Sequence, residues 1–132
     1  MVKPIRFSFS QTGNVGLPFL PITLIYGNNS INVLGLLDTG STINVMPYDI
    51  GLQLGVVWED QTKSVQLTGN LANLESKALI VSGAVSQFNP VHLVFAWTQA
   101  NNVPLILGQV NFFKEFDVYF YGSQSAFEIK LK

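Results

Sequence analysis

Apolar and polar positions alternate where the chain begins: Ile5, Phe7 and Phe9 stand against Arg6, Ser8 and Ser10. That is the period of a half-buried strand. Two apolar runs, residues 19–26 and 31–37, flank Gly27-Asn28-Asn29-Ser30. Residues of these types tolerate positive φ, so the segment predicts a hairpin. Further strands are predicted over residues 64–67, 74–81, 91–95 and 104–107. Near the end, residues 118–121 and 127–131 enclose Gly122-Ser123-Gln124-Ser125, a second hairpin signal. Only residues 48–54 and 110–116 suggest helix. Strands this short, punctuated this regularly, predict a mainly β chain closed as a barrel or packed as a sandwich.

Composition narrows the chemistry. A length of 132 residues suits a single domain over 1–132, and an apolar fraction of 48% is ample for a core. Seven basic and eight acidic residues leave a net charge of −1, too weak a field to attract nucleic acid or an anionic membrane. Cysteine is absent, which removes disulfides, thiolate metal sites and cysteine nucleophiles. With His92 as its one histidine, the chain cannot build a multi-histidine metal site. The expectation is therefore no metal and no cofactor. Charged residues make up 11%, against about 25% in ordinary domains, and mean hydropathy is +0.33. No run reaches the roughly 20 apolar residues of a spanning helix. Ser8, Ser10, Gln11 and Thr12 interrupt any signal-peptide core behind Lys3 and Arg6. A soluble, cytoplasmic protein that buries apolar surface against a second copy is the expectation.

Chemistry concentrates in Leu36-Leu37-Asp38-Thr39-Gly40-Ser41-Thr42. An acid directly after a buried strand is costly unless it is paired, hydrogen-bonded or neutralised. An ordinary turn would explain a lone Asp-Thr-Gly. Here two leucines precede the acid, a hydroxyl follows the glycine, and apolar residues resume at Ile43 and Val45. This resembles the aspartic-protease signature. A second stretch, Leu105-Ile106-Leu107-Gly108 followed by Gln109-Val110-Asn111-Phe112-Phe113, is similar to the second signature of retropepsin-like proteases, in which an apolar pair and a glycine precede a short helix. The resemblance spans roughly residues 19–131. It departs at Gln109, where the family commonly has arginine, and at Val110, where Asp or Asn often stands.

The resemblance implies a closed β-barrel-like protease lobe with one or two short helices, acting as a homodimer on a peptide or protein substrate. The chain holds a single Asp-Thr-Gly triplet, and its other acids lie outside any matching context. A carboxylate pair must then come from two chains, with Asp38 facing its symmetry mate. By resemblance, Asp38 is catalytic, Thr39 and Gly40 scaffold the site, and Ser41 donates to the outer oxygen of Asp38. Ile106, Leu107 and Gly108 form the second signature loop. A flap is expected over residues 65–80, with Thr68, Gly69, Asn70 and Leu71 near its tip. His92 reads as a structural or surface residue, and Trp58 and Trp97 as core or interface anchors. A retropepsin-fold module that dimerises or binds peptide without cleaving it is the alternative.

Overall fold

The opening alternation becomes β1 (Ile5–Ser8), followed by a small hairpin of β2 (Ser10–Thr12) and β3 (Val15–Leu17). The computed structural model describes residues 3–12 and 15–132. The long hairpin appears as β4 (Phe19–Tyr26) and β5 (Asn29–Leu37), with Gly27 at φ +59° in the turn. Then come β6 (Asn44–Met46), α1 (Tyr48–Gln53), β7 (Ser76–Ala84), β8 (Val91–Thr98) and β9 (Leu105–Leu107). The chain finishes with α2 (Phe112–Glu115), β10 (Phe116–Tyr121) and β11 (Ala126–Leu131).

Six strands close a barrel in the order β4-β5-β9-β6-β8-β7. Alternation along them fills its interior: Leu20, Ile22 and Leu24 from β4, Leu79 and Val81 from β7, and Leu93, Phe95 and Trp97 from β8 are all buried. A second sheet, β1-β11-β10, lies outside the barrel. Its Phe127 stacks on Phe7 at 5.4 Å, while Phe116 stacks on Phe112 of α2 at 4.9 Å. These rings join the barrel residues in one hydrophobic cluster. No helix among the described residues is long and apolar enough to cross a membrane.

The mainly β reading, the closed barrel and the two short helices match expectation. Two details differ. β6 is a strand only because β8 and β9 pair with it on both sides, and its three residues carry too little pattern to announce it. Residues 64–67 form one bridge, Ser64 to Lys77, rather than a strand. Of the two roles expected for Trp58 and Trp97, both residues take the core one, with ring centroids 5.1 Å apart.

Candidate active site

The loop from Asp38 to Ile43 joins β5 to β6, and β9 inserts between those two strands. It pairs parallel to β5 and antiparallel to β6. The insertion ties the loop down by its backbone. Asp38 N–H donates to Leu107 O at 3.0 Å, Gln109 N–H to Ser41 O at 2.9 Å, and Val110 N–H to Thr42 O at 2.8 Å. Close approach at this crossing requires glycine. A Cβ on Gly108 would lie 2.6 Å from Ile43 O and 2.7 Å from Ser41 O, backbone atoms that have no rotamer through which to yield.

Asp38 is half-buried at the end of β5. Gly40 N–H donates to its Oδ1 at 3.0 Å, and Ser41 N–H donates to its backbone carbonyl at 3.2 Å. The Ser41 side chain does not serve Asp38 as expected. Its Oγ donates to Ile43 O at 2.7 Å, and a hydroxyl has one proton to give. That contact closes the loop on itself. Thr39 is exposed, and its carbonyl accepts from Gln109 Nε2 at 2.6 Å. Gln109, which departs from the resemblance, thus holds the Asp38 loop through its side-chain amide.

Two residues that sequence reasoning missed complete the support. Asn44 is fully buried. Its Oδ1 accepts from Gly108 N–H at 2.7 Å, and its Nδ2 donates to Val94 O at 3.0 Å and Asn111 Oδ1 at 3.3 Å. Asn111 bridges onward, accepting from Val94 N–H at 3.0 Å and donating to His92 O at 2.7 Å. The signal was present: Asn44 interrupts Ile43, Val45 and Met46, and a polar side chain in an apolar strand must find partners. His92 is exposed and enters this network only through its carbonyl.

A cleft of about 200 Å³ opens beside the loop. Residues 40–43 and Val45 form one wall, and residues 65–68 with Leu71 form the other. Thr68 and Leu71 line the cleft opposite residues 40–43, whereas Gly69 and Asn70 are exposed and outside this lining. The arm is not a regular hairpin. Val65 N–H pairs with Ser76 O at 2.9 Å, after which the chain enters a 3₁₀ turn over Gly69–Leu71. Gln66 Nε2 holds the two ends together, donating to Leu67 O at 2.9 Å and Ala72 O at 3.0 Å. The reason is compositional: Thr68, Gly69, Asn70 and Asn73 break the alternation a paired strand needs.

Behind the cleft, sharing Ile43 and Val65, lies an apolar pocket of about 140 Å³ reaching Val94, Phe95, Ala96 and Val110. No charged side chain lines either cavity. Among the described residues, no three His, Asp or Glu side chains are grouped to hold a metal ion. A larger cavity, about 500 Å³ around Phe88 and Leu131, shares no residue with this cleft and lies away from the Asp38 loop.

A closed six-stranded barrel, with one strand threaded between the arms of an Asp-Thr-Gly loop, is the retropepsin-like fold, and this chain has it. The chain is similar in structure to a retropepsin-like aspartic protease from Rickettsia conorii, with a TM-score of 0.68 over 99% of this chain and 94% of that one, at 10% identity. It is also similar to an inhibitor complex of EIAV protease, with a TM-score of 0.52 over 76% of this chain and 88% of that one, at 17% identity. No protein-family model matches the sequence, and no curated protein is detectably similar to it.

Proposed function

We propose that this protein is an aspartic endopeptidase that hydrolyses peptide bonds as a homodimer, with one Asp38 from each protomer. The observation that carries this reading is the placement of Asp38. It leaves β5 in an Asp-Thr-Gly loop, its carboxylate held by Gly40 N–H, beside a cleft that the 65–71 arm overhangs. The fold shared with two proteases supports it. One protomer supplies one such carboxylate, and a twofold axis through the loop would supply the other.

Two carboxylates about 3 Å apart cannot both ionise, so the pair shares one proton. The ionised member takes a proton from a water held between them as that water attacks the scissile carbonyl. The protonated member donates to the carbonyl oxygen and stabilises the tetrahedral intermediate. Collapse of the intermediate breaks the C–N bond, and a proton from the dyad passes to the departing amine. Water is the only nucleophile, so no acyl-enzyme forms. The uncharged walls of the cleft and the apolar pocket behind Ile43 favour peptides with apolar side chains next to the cleaved bond.

Asp38→Asn keeps the shape of the loop but can neither accept the water's proton nor share one. Incubated with a random peptide library across pH, the wild type should cleave, and Asp38→Asn should lose at least about 10³-fold in kcat/KM with an unchanged thermal transition. Equal cleavage by the variant would refute the assignment. Peptide binding without cleavage by the wild type would establish the silent-module reading instead.

A further inference from the structure

We infer that Gln109 is a positioning residue that orients the Asp38 carboxylate through the Thr39–Gly40 peptide unit. Two hydrogen bonds share this one planar group. Gln109 Nε2 donates to its carbonyl at Thr39, at 2.6 Å, and its N–H at Gly40 donates to Asp38 Oδ1, at 3.0 Å. Planarity couples the two ends, since fixing the direction of the C=O fixes that of the N–H. Polarity couples them as well, because a donor on the carbonyl makes the attached N–H a stronger donor. The amide at position 109 therefore acts on Asp38 without touching it.

The base of this relay is rigid. Gln109 N–H is bonded to Ser41 O at 2.9 Å, and its neighbours on both sides are tied as well: Gly108 to the buried Asn44 at 2.7 Å, and Val110 to Thr42 at 2.8 Å. The side chain thus starts from a fixed point. Within one protomer the peptide it grips is tied less closely, because Thr39 and Gly40 are both exposed there and glycine rotates cheaply. The requirement at position 109 is consequently a donor of sufficient reach. Glutamine and arginine both meet it; leucine does not.

The inference rests on the hydrolase reading for its kinetic consequence, but the relay can be read without catalysis. In Gln109→Leu, the Gly40 amide proton should move upfield and exchange faster with solvent. The Gly108 amide, bonded to buried Asn44, should stay where it is. On a cleaved peptide kcat should fall about tenfold, the scale of one lost orienting hydrogen bond, with KM within about twofold of wild type because no cleft residue changes. Gln109→Arg should restore both the Gly40 resonance and kcat. A Gly40 amide unmoved by Gln109→Leu would overturn the inference, as would a fall in kcat that arginine fails to rescue. If the wild type cleaves nothing while the Gly40 amide still responds, the relay stands and the hydrolase reading falls.

Discussion

The two walls of the cleft are built on opposite principles. The Asp38 loop is locked from three directions, by β9 through Asp38 N–H, by the residues after β9 through Ser41 O and Thr42 O, and by the buried Asn44 beneath Gly108. The overhanging arm is tied at its root by Val65 and Ser76, and it contributes one fully buried side chain, Leu67, to a small cluster with Val45 and Ala96. Beyond Leu67 its residues are exposed or half-buried, and a Cβ on Gly69 would meet nothing within 4 Å. Local stability follows contact density and shielded hydrogen bonds. Chemistry that needs carboxylates held to a fraction of an ångström belongs on the first wall, and admission of a peptide chain belongs beside the second.

The contrast can be broken at its strongest point. Gly108→Ala forces a methyl against two backbone oxygens at 2.6 and 2.7 Å, and should cost about 3 kcal/mol or more of stability, read as a lowered midpoint in urea. Asn44→Ala should follow at about 2–3 kcal/mol, because it orphans Gly108 N–H, a buried donor, and unlinks Asn111. Its midpoint should fall with little change in slope. Gly69→Ala, at φ +64° in open space, should cost only about 1 kcal/mol. That effect should appear in the hydrogen exchange of residues 65–75 rather than in the global transition. A global loss as large as that from Asn44→Ala would mean that the arm is as integral as the loop.

Local chemistry made the loop legible. The hairpin over β4 and β5 follows from two apolar runs around Gly27, and the candidate acid follows from Asp38 standing between Leu37 and Gly40. What escaped is what depends on distant partners. β6 exists because β8 and β9 flank it, and short strands take their stability from neighbours more than from propensity. Ser41 carries the right residue type for a bond to Asp38, but the turn after Gly40 aims its hydroxyl at Ile43 O. Gln109 departs from the resemblance, and its amide reaches Thr39 from 70 residues away in sequence. The arm over residues 64–67 read as a strand from its Val and Leu, yet Gln66 spends its side chain on carbonyls at 67 and 72.

Mixing protomers tests the shared dyad most directly. Wild-type protein at fixed concentration is combined with increasing Asp38→Asn protein, left to exchange subunits, and assayed on one peptide substrate. If each active site takes one carboxylate from each chain, mixed dimers carry a single Asp38 and are inactive. Activity should then fall toward zero as the variant comes into excess, and dilution of the wild type alone should lower its activity per protomer. Activity that stays constant in excess Asp38→Asn protein and scales linearly through dilution would contradict a site shared between two chains.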